Sequence, residues 1–159
     1  MSASKAPAFK AALYTACQGL YGSLTTASGD YTVAVFYGLP TSYSDEMVLL
    51  EDMTSEQEVA AMGSGRPRWE TLTLTGTVMC YLGGTDQQTI TERAYYLLGL
   101  LETYLQDAGN IPSTQITLGG SVLQSRVTSH ELTETANDDD AEAGRSADIE
   151  FTITALVRI

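Results

Sequence analysis

The sequence predicts an α+β domain in which a mainly antiparallel sheet of about five strands carries two helices on one face. Three patterns support this fold class. Threonine and apolar residues alternate over 71–80, apolar residues alternate with others over 149–159, and leucines recur at helical spacing over 90–105. A chain of 159 residues fits one domain, spanning residues 1–159, with a single hydrophobic core.

The N-terminal part predicts a helix followed by two strands. Apolar residues recur at helical spacing over 7–24. Aromatic and β-branched residues then predict a strand at 31–37, and a second strand at 46–51 can pair with it. Residues 52–67 mix acids and small residues without a strand period. They predict a long, mobile loop before the threonine-rich strand.

The main helix is predicted from its capping residues and its leucines. Thr89 and Glu92 have the spacing of a capping box, so the helix is expected to start there. Gly109 and Pro112 are typical of a helix end. The predicted order is therefore helix, three strands, helix and two strands, the last two beginning within 115–127 and at 149.

Charge is the most extreme property of the composition. The chain has 20 acidic and 8 basic residues, a formal net charge of −12 and a pI near 4.2. Such a surface repels phosphate, which argues against specific nucleic-acid binding. Acidic residues concentrate at 131–146, and this stretch is predicted to be a solvated loop.

The sequence contains no recognisable motif for catalysis or for cofactor binding. The only lysines are Lys5 and Lys10, so no phosphate-binding P-loop can be written. His130 is the only histidine, and it lies in a polar stretch without a nucleophile motif. Cys17 and Cys80 are too far apart for a redox or zinc pair and are expected to be buried. The sequence predicts no enzyme, no cofactor and no metal site.

Two groups of residues are candidates for protein contacts. Arg66, Arg68 and Trp69 form the only basic cluster, which is either a half-buried strand entry or an anchor at an interface. Tyr95 and Tyr96 extend the apolar surface of the main helix beyond a narrow stripe, as a subunit contact would.

The order of these signals resembles the tail-terminator, or tail-completion, proteins of long-tailed bacteriophages. The resemblance spans about residues 7–159. It depends on the order of elements and on three segments: the strand entry at 68–72, the helix segment at 91–98 and the strand at 118–122. These are patterns of shape and hydrophobicity and not chemical signatures.

The resemblance implies a structural virion protein, a minor tail protein that forms a hexameric ring at the head-proximal end of the tail. Such a ring caps the tail tube and joins it to the head–tail connector during virion assembly. The implied partners are further copies of the chain, the tail tube protein and the connector protein, with no membrane involved. The implied location is the virion tail, and the host cytoplasm during assembly. The predicted loop at 52–67 is a candidate contact.

Genomic DNA would pass through such a ring without specific binding. Asp138, Asp139, Asp140 and Glu142 are candidates for an acidic surface facing that channel, and a solvated loop on the outer wall is the alternative. Other functions stay open at this point. The chain could be another tail-tube, baseplate or connector subunit, or a small acidic module that binds a basic protein.

Overall fold

The computed structural model describes residues 3–60, 62, 67–106, 117–136 and 144–159. Within these residues the chain forms two α-helices and five β-strands. In chain order they are α1 (Ala6–Tyr21), β1 (Ala34–Phe36), β2 (Glu46–Val59), β3 (Arg68–Gly83), α2 (Gln87–Leu105), β4 (Gln124–Ala136) and β5 (Gly144–Arg158). The order of elements is the predicted one.

The five strands form one sheet with the spatial order β1-β2-β3-β5-β4. The pairs β2–β3, β3–β5 and β4–β5 are antiparallel, whereas the three-residue strand β1 pairs with β2 in parallel. The sheet is therefore mainly antiparallel with one parallel pair at an edge, and the predicted α+β class is confirmed.

One face of the sheet holds the hydrophobic core. Successive strand residues point to opposite faces, and the alternation predicted in β3 is confirmed because its leucines are buried while its threonines lie on the other face. The helices pack on the leucine side. The core includes Phe9 and Leu13 of α1, Leu97, Leu98 and Leu101 of α2, Leu72, Leu74 and Val78 of β3, and Ile149, Phe151 and Ile153 of β5.

A glycine interrupts the apolar alternation of β3 at the centre of this core. A Cβ added to Gly76 would lie 2.6 Å from the carbonyl oxygen of Leu49 and would overlap the ring of Phe151. The missing side chain makes room for that aromatic ring, which is fully buried. Gly76 is thus required by packing rather than by backbone conformation.

The predicted start of α2 is wrong by one turn. The helix begins at Gln87, and its N-cap is Asp86, whose carboxylate accepts a hydrogen bond from the backbone N–H of Thr89 at 2.7 Å. An aspartate in an extended conformation caps a helix as well as threonine does, so Thr89 falls in the first turn. The helix ends at Leu105, and the predicted stop residues Gly109 and Pro112 lie outside the described residues.

The predicted loop at 52–67 is wrong for its first half. Strand β2 continues to Val59 and pairs with β3 up to the Val59–Arg68 pair, after a bulge between Leu50 and Met53. This end of β2 is exposed. No apolar alternation therefore appears in the sequence, although the backbone is in a regular ladder. Residues 61 and 63–66 lie outside the described part of the chain.

The predicted acidic loop at 131–146 is also mostly strand in its described part. β4 extends to Ala136 and β5 starts at Gly144, with Ala136 paired to Arg145. The strand predicted within 115–127 begins only at Gln124. A turn precedes it, in which Leu118, Gly119 and Gly120 have positive φ angles of 48°, 70° and 88°, a conformation that favours glycine. Likewise, the strand predicted at 31–37 is limited to β1 at Ala34–Phe36.

Candidate functional site

Arg68 and Trp69 lie at the first residues of β3, on the side of the molecule where the chain ends. Arg68 exchanges two backbone hydrogen bonds with Ile159, at 2.8 and 2.9 Å. Trp69 is half-buried on the helix-free face, and the guanidinium of Arg158 lies 5.9 Å from the centre of its ring. Trp69 therefore has the environment of a half-buried strand entry. Its neighbour Arg66 lies outside the described residues.

Tyr95 and Tyr96 are exposed on the outer side of α2. The ring of Tyr95 makes an edge contact with the imidazole of His130 in β4, with 5.5 Å between ring centres. The guanidinium of Arg93 lies 5.3 Å from the ring centre of Tyr96. Both rings are thus held in place by neighbours while much of their surface stays accessible.

The two candidate groups lie on opposite layers of the molecule. Tyr95 and Tyr96 belong to the helical layer, whereas Trp69 lies on the sheet face that no helix covers. The structure does not bring them into one site. A flat partner could contact one group or the other, and two different neighbours would be needed to contact both.

The acidic residues predicted to face a channel, Asp138, Asp139, Asp140 and Glu142, lie outside the described residues. The described helix-free face has its own acidic row. Thr77 donates a hydrogen bond from its hydroxyl to the Glu51 carboxylate at 2.6 Å, and Glu150 and Glu131 continue the row across β5 and β4. Glu131 and Glu150 are register partners, and like charges placed directly opposite each other are unfavourable.

Threonines occupy the centre of the same face. Thr73 pairs with Thr154, and Thr75 pairs with Thr152. The hydroxyl oxygens of Thr128 and Thr154 are 3.1 Å apart. This threonine face is uncharged at its centre and has carboxylates beside it. It offers a regular polar surface in which the exposed Arg126 of β4 lies beside Thr154.

A buried carboxylate joins the start of α1 to the sheet. The side chain of Glu70 in β3 accepts hydrogen bonds from the Ser4 hydroxyl, from the Lys5 backbone N–H at 2.8 Å, from the Ser55 hydroxyl at 2.6 Å and from the Gln57 amide at 3.3 Å. Burial by itself raises the pKa of Glu70, but these hydrogen bonds outweigh it and lower the pKa below its ordinary value. A carboxylate at a helix N-terminus also complements the helix dipole.

Neutralising Glu70 is expected to change how stability depends on pH. Because its pKa is lower in the folded state, the carboxylate stabilises the fold at neutral pH, and this contribution is lost as pH falls below about 4.5. Glu70→Gln should therefore be less stable than the unmodified protein at pH 7, by about 1–3 kcal/mol. Urea unfolding at pH 7 and at pH 3.5 measures the difference.

The exposed carboxylate Glu150 provides a matched control. Glu150→Gln should alter stability by less than about 0.5 kcal/mol at pH 7. The difference in free energy of unfolding between the unmodified protein and Glu70→Gln should be smaller at pH 3.5 than at pH 7. If this difference is equal at both pH values, the conclusion that Glu70 is ionised in the folded state is wrong.

A second buried carboxylate forms an ion pair with an arginine of α2. Glu46, at the start of β2, has no exposed surface and accepts three hydrogen bonds of 3.0–3.3 Å from the guanidinium of Arg93 in α2. Glu46 also accepts one from the backbone N–H of Ala27 at 2.8 Å, and Arg93 donates another to the carbonyl of Thr25 at 2.7 Å. The pair thus connects the sheet, the second helix and the turn at 25–27.

Both buried carboxylates could have been noticed in the sequence. Glu46 has the same strand parity as the buried residues Val48 and Leu50, and Glu70 has the same parity as Leu72. A charge on the apolar side of an alternating strand requires a partner inside the protein. The identity of the partners depends on the tertiary fold.

The described residues show neither a metal-binding cluster nor an exposed thiol. They include no group of three or more His, Cys, Asp or Glu side chains placed to hold a metal ion. Cys17 and Cys80 are buried, as predicted, and burial raises the pKa of both thiols, that of Cys17 to about 12. Among the described helices, none is both long and apolar enough to span a membrane.

A cluster of exposed tyrosines was not predicted. Tyr31, Tyr37 and Tyr43 lie in the segment from just before β1 to just before β2, together with the exposed Leu39. Sequence reasoning assigned the first two to a strand. The glycine and proline at 38 and 40 indicate that the chain leaves the sheet after Phe36, before Tyr37 and Tyr43, whereas Tyr31 lies in a bend before β1.

Comparisons with known proteins were made for the whole chain. No protein-family model matches it, and no curated protein matches it in sequence. The fold therefore defines this protein as an α+β domain whose single sheet has a helix-covered face and a helix-free face.

Proposed function

We propose that this protein is a structural subunit of a long-tailed phage tail, and that it acts as a tail terminator. In this proposal several copies form a closed ring that caps the tail tube and meets the head–tail connector. The observation that carries the proposal is the two-faced sheet. One face buries the whole core under both helices, and the other leaves four long strands available for contacts with neighbouring subunits or for lining a channel.

Three features support a role in contacts between subunits. The order of elements agrees with the resemblance to tail-terminator proteins, although the segment at 118–122 is a turn and not the strand on which the resemblance partly depends. Strand β4 lies at the sheet edge, where its outer backbone groups can pair with another chain. The exposed groups around Tyr95 and around Trp69 lie on opposite layers, as suits a ring in which one patch meets a different patch on the neighbour.

The charge of the surface supports passage of DNA without retention. A ring of subunits with net charge −12 repels phosphate groups. In this proposal the threonine face and its acidic row, or the acidic residues at 138–142, line the channel, and the genome moves past them without specific contacts.

Ring formation is expected to depend on ionic strength. Bringing several copies with a charge of −12 together is opposed by repulsion, which salt screens over a Debye length of about 10 Å at 0.1 M. Dilute protein should be mainly monomeric in low salt and should associate as NaCl or MgCl₂ is added. Light scattering across both series measures this. A ring that is stable in low salt and dissociates as salt is added would contradict the expectation.

Electron microscopy tests the proposal itself. Negatively stained protein, alone and mixed with tail tubes of the phage that encodes it, should show single rings and rings at one end of the tubes. Long tubes formed by this protein alone would identify a tube subunit instead. If neither rings nor tubes form at any salt concentration, the tail proposal is wrong.

A second candidate function is a small acidic module that binds a basic protein. The exposed tyrosines near Asp30 and Asp45 favour it, because such side chains bind cationic groups well. A module of this kind would stay monomeric in the same images.

A further inference from the structure

A surface cleft of about 380 Å³ lies between two tyrosines before and after β1. It is lined by Tyr31, Thr32, Tyr43, Ser44 and Asp45. The tyrosine side chains are 67% and 91% exposed, although both are large and partly apolar. Two exposed aromatic residues thus line the same cleft as Asp45.

The walls of the cleft are fixed by backbone hydrogen bonds. The carbonyl of Tyr31 accepts a hydrogen bond from the N–H of Thr26 at 2.8 Å, and Thr32 forms an antiparallel bridge with Thr25. On the other wall, the carbonyl of Asp45 accepts a hydrogen bond from the N–H of Tyr81 in β3 at 2.7 Å. The backbone of the cleft is thus connected to the sheet at Asp45 and to the turn at 25–27 at Tyr31 and Thr32, which limits the backbone ordering needed when a ligand enters.

Aromatic rings elsewhere in the chain already contact cations. The ammonium of Lys10 lies 4.6 Å from the ring centre of Tyr37, and arginines lie over Tyr96 and Trp69. In the described part of the chain, the rings of Tyr31 and Tyr43 have no such cation. The cleft therefore combines two exposed aromatic rings with a carboxylate, the groups from which a cation site is built.

We propose that this cleft binds the side chain of an arginine or lysine from a basic segment of another protein. The two rings supply cation–π contacts and Asp45 supplies a counter-charge. The net charge of −12 attracts a basic partner over long range. A second copy of this chain is a poorer partner, because it is equally acidic and three of its eight basic residues, Lys10, Arg93 and Arg158, already contact its own rings. The proposal concerns the cleft alone and does not depend on a role in a phage tail.

The test uses a defined probe, an acetylated and amidated octapeptide of alternating arginine and glycine. Titrated into isotopically labelled protein in low salt, it should shift the backbone amide resonances of Tyr31, Thr32, Tyr43, Ser44 and Asp45. The same peptide with citrulline in place of arginine keeps the shape and removes the charge, and it should bind much more weakly. Tyr43→Ala should weaken binding of the arginine peptide about 3- to 30-fold.

Tyr95→Ala provides the matched control, since it removes an exposed tyrosine from α2 whose ring contacts His130, outside the cleft. It should leave the affinity unchanged. Tyr43 is almost fully exposed, so its substitution should not unfold the protein, and an unchanged thermal midpoint verifies this. Equal binding of the two peptides, equal effects of the two variants, or shifts spread over the acidic surface would each overturn the proposal. The same amide resonances could instead shift in the absence of peptide as the protein concentration rises. That result would also overturn the proposal, because it would mean that the cleft binds a second copy of the chain.

Discussion

Arg93→Met is expected to destabilise the protein by about 3–5 kcal/mol, because it leaves the carboxylate of Glu46 charged and unpaired inside the protein. Glu46 has no exposed surface, and the Arg93 side chain is 20% exposed. The N–H of Ala27 would be the one remaining donor to that carboxylate. Urea unfolding at pH 7 measures the loss.

Two further variants separate a lost charge pair from lost packing. In the double variant Glu46→Gln, Arg93→Met no charge is buried, so most of the stability should return. Arg126→Met makes the same change at an exposed arginine of β4 and should cost less than about 0.5 kcal/mol. If the double variant is as unstable as Arg93→Met, the loss comes from packing and not from the unpaired carboxylate.

The ion pair also has a consequence for the tyrosine cleft. Arg93 and Glu46 hold the turn at 25–27 through the carbonyl of Thr25 and the N–H of Ala27. Thr25 and Thr26 in turn form backbone contacts with Thr32 and Tyr31. The cleft is therefore positioned by a chain of contacts that begins at the ion pair. Weaker peptide binding by a folded Glu46→Gln variant would reveal this coupling.

The regular parts of the fold could be predicted because their side chains obey a strict period. Leu72 and Leu74 alternate with threonines, and Leu97, Leu98 and Leu101 lie on one helical stripe. The second half of β2 could not be predicted in this way. Its side chains meet no covering layer, so burial imposes no period on residues 54–59, and only the backbone ladder with β3 makes them a strand.

The candidate contact residues were harder to predict than the fold. Tyr95 and Tyr96 could be placed on the outer side of α2 from helical spacing, and both are exposed. Whether they share a surface with Trp69 depends on the layer that each element occupies, which a local pattern does not encode. The Tyr31–Tyr43 cleft likewise depends on two loops meeting. The sequence signal was a local excess of tyrosine beside glycine and proline.

Leu98→Ala is expected to cost about 2–5 kcal/mol, because it removes three carbons from a side chain that is 1% exposed inside the core. Leu98 belongs to the same core as Leu74, Phe151 and Ile153, so the cavity would be surrounded by sheet residues that cannot easily close it. Leu123→Ala is the matched control, since that leucine is 52% exposed and should cost less than about 1 kcal/mol. Chemical denaturation compares the free energies of unfolding of the three proteins, and the dependence of that free energy on denaturant concentration should have the same slope in each. A loss below about 1 kcal/mol for Leu98→Ala would mean that this face of α2 does not pack on the sheet.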